Sequence, residues 1–241
     1  MNQKQNIIKI YQEKDIIDIF DKERNKYLFQ KDKHKIESNF LKKAINSLKK
    51  NKIKVLDVAC GTGRMLQETF SIKKDIEYYG IDTSKEIIKH LKEKAKKLGV
   101  EKNIKIKIGD AEKMPFKDES FDIVYSFHLL WHLEKEGQEK IIKEMLRVCK
   151  KEGLVVFDIL NKHFIWERIK HLFGKRKTEG IYKLSLNEIK RIVDKKNLKI
   201  DKLSDFPVKN PKLYFILNSV NIFKKILPNS FFHMNYIKII K

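Results

Sequence analysis

The sequence predicts a doubly wound α/β domain built on a mostly parallel, seven-stranded sheet. Three features predict it. Strand-length apolar runs alternate with helix-period stretches through the middle of the chain, the pattern of a parallel sheet covered by helices on both faces. A loop of small residues with Gly61 and Gly63 joins the first strand to a helix-forming run, as at the ligand-binding edge of such sheets. Neither a repeat nor a low-complexity linker divides the 241 residues, a length suited to one α/β domain with helical additions.

The elements follow in order. Residues 1–50 read as helices. Ile16, Ile17 and Phe20 recur at helical spacing, as do Phe40, Leu41, Ala44, Ile45 and Leu48. The second set suits packing on the sheet; the first, with Tyr11 and Tyr27, suits a lid over a ligand. Residues 51–160 carry the core. Ile53–Val58 is a strand, Met65–Phe70 a helix, and Ile76–Ile81 a strand ending at Asp82. Ser84 is placed to cap a helix from Lys85 to Leu98, which Gly99 stops. Lys102–Ile108 alternates as a third strand, Phe121–Ser126 is the fourth, Gln138–Cys149 a helix, and Gly153–Leu160 the fifth strand. Residues 161–241 add a basic helical stretch at Phe164–Phe173 and a helix at Leu184–Val193 with Ser185 or Asn187 near its start. A strand at Leu198–Leu203, a loop at Pro207 and Pro211, an apolar stretch at Tyr214–Leu227 and a last strand at Phe231–Ile240 complete the chain.

Composition excludes several classes. No run approaches 18 apolar residues, so no transmembrane helix is expected, and the first residues lack the apolar core of a signal peptide. Cys60 and Cys149 have no metal-ligand spacing and are too few for a disulfide framework. A cytoplasmic protein without a metal is therefore expected. The net charge of +22 comes mostly from lysine: 48 of the 54 basic residues are Lys, interspersed with Asp and Glu. Phosphate recognition favours Arg, whose guanidinium binds two oxygens at once. A solvated lysine surface thus outweighs a nucleic-acid face, which is kept as the second partner class.

The loop narrows the ligand. Gly61 and Gly63 let backbone approach a ligand closely, and the loop N–H groups with the helix start form a slightly positive cradle. The dinucleotide fingerprint needs a third glycine where this chain has Leu66, and the phosphate-loop Lys is absent. Asp57, at the end of the first strand, suits an ammonium or hydroxyls better than a pyrophosphate. Asp82 ends the second strand 25 residues later, where a carboxylate can accept from a ribose diol.

The run Asp57-Val58-Ala59-Cys60-Gly61-Thr62-Gly63 resembles the first motif of class I S-adenosylmethionine-dependent methyltransferases. Gly109-Asp110-Ala111-Glu112-Lys113-Met114-Pro115-Phe116 resembles the family's third-strand motif, and Ser120-Phe121-Asp122-Ile123-Val124 its fourth strand. Lys151-Glu152-Gly153-Leu154 resembles the turn before its fifth strand, with one glycine kept and the proline lost. The resemblance spans about Ile53–Phe157 and implies a Rossmann-like methyltransferase fold with a C-terminal substrate-side insertion. It implies S-adenosylmethionine as cofactor and S-adenosylhomocysteine as product. It further implies that Asp57, Ala59, Cys60, Gly61 and Gly63 hold the methionine part of the cofactor. Asp82 and Thr83 would lie at the ribose and adenine, Asp110 and Ala111 at the adenine edge, and Ser126 and Phe127 beside them.

Past the fourth strand, His132 falls on a histidine that many small-molecule members carry. His128 lies four residues before it, so a helical turn would put both on one face. Either suits a general base, since imidazole titrates near neutrality. The expected reaction is methyl transfer to O or N of a small-molecule acceptor. The aromatics and lysines of the C-terminal third suit an amphiphilic or lipid-linked acceptor and peripheral membrane contact. RNA or tRNA methylation, and non-catalytic binding of the cofactor, are the rival readings.

Overall fold

The structure is a computed structural model that describes residues 28–164, 181–193, 199–205 and 233–241. The suggested lid, with Tyr11, Ile16, Ile17, Phe20 and Tyr27, lies outside them. So do residues 165–173 of the basic stretch and the whole of Tyr214–Leu227.

Seven strands form one sheet in the order β3-β2-β1-β4-β5-β7-β6. They are β1 (Lys52–Val58), β2 (Asp75–Asp82), β3 (Ile104–Ile108), β4 (Phe121–Ser126), β5 (Cys149–Leu160), β6 (Lys199–Asp205) and β7 (Met234–Ile240). The first five run parallel, and β7 runs antiparallel between β5 and β6. The helices are α1 (Leu28–Ser47), α2 (Leu66–Phe70), α3 (Lys85–Lys97), α4 (Lys135–Val148) and α5 (Leu186–Val193).

Side chains along a strand alternate between faces, and this sorts the core into two layers. Ile53 and Val55 of β1 pack with Leu41, Ala44 and Ile45 of α1 and with Ala95 of α3. Leu56 and Val58 face the other way, onto Ile141, Ile142 and Met145 of α4 and Ile189 of α5. The order reverses between β1 and β4, the place where open α/β sheets bind ligands.

Local chemistry sets the boundaries. Ser84 caps α3 by accepting from the Ile87 N–H at 3.3 Å, and Gly99 leaves the helix at φ +67°. Ser185 and Glu188 form a reciprocal capping box at α5. Asp122, from the fourth-strand motif, has a structural role. Its buried carboxylate accepts from the Lys54 N–H at 2.9 Å and pairs with Lys50 and Lys150. Arg147 donates to the Phe116 carbonyl at 2.8 Å and the Met114 carbonyl at 3.1 Å, holding the turn after the third-strand motif.

Several expectations shift at the edges. The third strand starts at Ile104 because Glu101–Asn103 forms a 3₁₀ turn. The helix expected at Gln138 starts at Lys135, and Cys149 already belongs to β5. His128 and His132 do not share a helical turn: His128 has φ +64°, and only Leu130–His132 makes a 3₁₀ turn.

Candidate active site

A cavity of about 170 Å³ opens beyond the ends of β1, β2 and β4. Ala59, Cys60, Gly61, Asp82, Thr83, Asp110, Ala111, Phe127, His128 and His132 of the predicted set line it, with Thr62, Arg64, Ile87, Leu129 and Leu133. Two glycines shape the loop. Gly61 has φ +54°, and a Cβ there would meet nothing within 4 Å, so its backbone faces open space. Gly63, at φ +75°, sits against Leu91, whose Cγ would be 3.1 Å from an added Cβ.

Asp82 ties the loop to the second strand. Its Oδ2 accepts from the Gly61 N–H at 3.0 Å, and its Oδ1 accepts from the Ser84 N–H at 3.1 Å. The Thr83 N–H also bonds to it, and since a carboxylate offers about four lone-pair directions, one remains for a ligand. Burial raises its pKa, while the N–H donors oppose that shift. Asp110 is exposed, and its Oδ1 accepts from the Glu112 N–H at 2.9 Å. Cys60 packs inward under Gly80, and burial pushes its thiol pKa well up.

Gly63, Asp57 and Ser126 do not line the cavity. Gly63 acts through its backbone conformation. Asp57 shares strand parity with Ile53 and Val55, so its side chain enters the α1 layer. There its Oδ2 accepts from the hydroxyls of Tyr78 at 2.8 Å and Tyr125 at 3.0 Å. Burial raises its pKa to about 7 despite these donors. Ser126 Oγ donates to the Val58 carbonyl at 2.8 Å, joining β4 to β1.

The sequence reading missed the polar cluster at the cavity's far end. Glu37 of α1, Arg64 of the loop, His128 after β4 and Asp158 of β5 meet there. Glu37 accepts from Arg64 through one oxygen, and its Oε1 lies 2.6 Å from His128 Nε2. Asp158 Oδ1 accepts from the His128 N–H at 2.9 Å, which holds the left-handed backbone of His128. Asp158 Oδ2 is buried, lies 3.8 Å from His128 Nε2, and has no hydrogen-bond partner among the described residues.

Charge decides how this cluster is protonated. Burial lowers the His128 pKa to about 3, against the opposing pull of Glu37. Burial alone would raise the Glu37 carboxyl, but the His128 and Arg64 contacts hold it well below the usual range. Burial and the Glu37 charge push Asp158 up to about 7. His128 is thus a neutral imidazole donating Nε2–H to Glu37, with Nδ1 as its acceptor atom. In His132 the roles are reversed: Nε2 accepts from the Trp131 indole N–H at 3.0 Å, so Nδ1 carries the proton.

Glu37, His128 and Asp158 also offer three donor atoms within 4.8 Å of one another, a set of types that divalent cations accept. Arg64 and Lys33 already bring two positive charges to them. These charges balance the cluster without an ion.

Both missed carboxylates carry a signal in the sequence. Glu37 precedes Leu41 by four residues and Ile45 by eight, so it lies on the apolar face of its helix. Asp158 interrupts the apolar run Leu154–Leu160. A buried carboxylate needs a partner.

Residues 56–157 match the family described as a methyltransferase domain. Ajmaline N-methyltransferase of Rauvolfia serpentina is 36% identical over 102 residues, 42% of this chain and 34% of that protein. Phosphatidylethanolamine N-methyltransferase of Cereibacter sphaeroides is 35% identical over 103 residues, 43% of this chain and 48% of that protein. The matched region thus spans about a third to a half of the length of these relatives. Among solved structures, magnesium protoporphyrin IX methyltransferase from Synechocystis, with bound S-adenosylhomocysteine, superposes with a TM-score of 0.70. It is 15% identical and covers 99% of each chain, which shows a shared fold. Among the described residues, no helix is long and apolar enough to cross a membrane. Residues 56–157 of the chain thus resemble a methyltransferase domain in sequence, on a fold shared with a solved S-adenosylhomocysteine-bound methyltransferase.

Proposed function

We propose that this methyltransferase binds S-adenosylmethionine in the cavity and methylates an O or N atom of a small-molecule acceptor. The single observation that carries the reading is the cavity itself. A glycine loop open to it at Gly61, a carboxylate at Asp82 and a second at Asp110 stand around one space that ends at His128. The loop backbone of Ala59–Gly61 suits the amino-acid part of the cofactor, Asp82 the ribose diol, and Asp110 with Ala111 the adenine edge. When bound, the cofactor supplies an electrophilic methyl group on a sulfonium.

The chain must then align the acceptor, exclude water and receive a proton. Alignment alone supplies roughly 7–11 kcal/mol in favourable cases. His128 is the proton acceptor, through Nδ1; with a pKa held down to about 3 by burial, it takes the proton only as methyl transfer makes the acceptor acidic. Glu37 fixes its tautomer from the other ring nitrogen and stabilises the imidazolium as it forms. His132 orients Trp131 instead, because its acceptor nitrogen already takes the indole N–H. The N-methyltransferase names of two relatives support a nitrogen acceptor.

Calorimetric titration with S-adenosylhomocysteine tests the reading, at low and moderate salt. Micromolar binding, followed by transfer from a labelled methyl donor in an acceptor screen, is the expected result. A folded protein that binds no S-adenosylhomocysteine at either salt overturns it.

A further inference from the structure

Lys33 and Glu37 lie one turn apart on α1 and enter the cluster together. The Lys33 ammonium stands 4.9 Å from the centroid of the Trp131 ring, within the range of a cation–π contact. Its charge acts on Glu37, His128 and Asp158 alike. Among the described residues it forms no ion pair within 4 Å, so an aromatic face and the field of two buried carboxylates hold it.

The receiving wall is built and fixed. Trp131 is largely buried, its indole N–H bonds to His132, and its carbonyl accepts from the Tyr182 N–H at 2.8 Å. The His128 ring packs against it, with centroids 4.9 Å apart, and His128 lines the cavity. Asp158 adds a buried oxygen with no donor among the described residues. An unmet buried acceptor is destabilising, and an ammonium N–H would satisfy it.

We propose that Trp131, Glu37 and Asp158 form a cation subsite for the acceptor, that Lys33 covers its indole face in this structure, and that the acceptor is an amine bound as its ammonium. The inference rests on the methyltransferase reading and narrows it. A hydroxyl acceptor has no charge to match two carboxylates and an indole face. An incoming ammonium displaces Lys33 and stands beside His128, the base of the proposed reaction.

The Lys33 side chain is itself a butylammonium group, which sets the experiment. Lys33→Ala, saturated with S-adenosylhomocysteine, is titrated with n-butylammonium and, separately, with neutral n-butanol, and binding is read by ligand-observed NMR. The expected result is n-butylammonium binding at least about tenfold tighter to Lys33→Ala than to wild type, with no such gain for n-butanol. Adding Trp131→Leu or Asp158→Asn to Lys33→Ala should abolish the gain. Asp158→Asn, which keeps the shape, decides the matter if the leucine variant fails to bind S-adenosylhomocysteine. Equal gains for both probes, or a gain that survives Asp158→Asn, overturns the subsite. Wild-type protein that binds no S-adenosylhomocysteine overturns the methyltransferase reading instead.

Discussion

The Oε1 oxygen of Glu37 lies 2.6 Å from Nε2 of His128, although 91 residues separate them in the chain. One comes from the N-terminal helix and the other from the turn after the fourth strand. This contact assigns the imidazole's donor and acceptor atoms, and it links α1 to the cavity wall at His128.

Glu37→Gln should therefore separate catalysis from binding. The amide keeps the volume but loses the charge that steadies Arg64 and the imidazolium. Turnover is expected to fall by about 10²-fold, while S-adenosylhomocysteine affinity stays within about threefold, since Glu37 does not line the cavity. A parallel loss in both quantities would assign Glu37 to cofactor binding. Glu37→Ala leaves partly buried Arg64 with His34 but without its carboxylate and should lower stability in denaturant unfolding.

The two histidines should behave differently. His128→Ala is expected to reduce turnover strongly at nearly constant cofactor affinity. His132→Ala should act more weakly, by freeing the Trp131 indole. Steady-state kinetics with a labelled methyl donor compare them, and a larger loss at His132 would reverse the assignment.

Asp82→Ala removes the acceptor of the Gly61 N–H and an oxygen facing the cavity. Cofactor affinity should drop at least about tenfold. Unchanged affinity in a folded variant would remove Asp82 from the ribose role and leave it as a helix-start residue.

Asp57 makes a pH prediction about stability. Its folded pKa, about 7, lies above the ordinary 3.8, so the folded state binds more protons between these values. Stability from this group is present below about pH 4 and is lost as pH rises to about 7, by roughly 4 kcal/mol at most. Subtracting the unfolding free energies of Asp57→Asn from those of wild type across pH isolates the effect. A flat difference from pH 4 to 7 would mean that Asp57 is not buried in this way.

Gly80→Ala tests the support beneath the loop. An added Cβ would stand 2.8 Å from Ile106 Cδ1 and 2.9 Å from Cys60 Sγ. Cys60 must shift, so both thermal stability and cofactor affinity should fall. Affinity unchanged at lower stability would show that the loop tolerates the displacement.

Much of this protein was determined by local sequence. The alternation of strand and helix periods, the Ser84 cap and the glycine loop rest on neighbours a few residues apart. They specify the order of elements and the cavity wall at Gly61, Asp82 and Asp110. Parity also lay in the sequence. Asp57 stands two residues from Val55 and four from Ile53, which sends it into the α1 layer with Tyr78 and Tyr125.

Only the tertiary structure decided which polar groups meet. Glu37, Arg64, His128 and Asp158 come from four separate elements, and no local pattern states their distances. Burial then sets their protonation, because removing charges from water makes each depend on its nearest partner. For the same reason His128 and His132, alike in sequence, point opposite ring nitrogens at different partners, one at a carboxylate and the other at an indole.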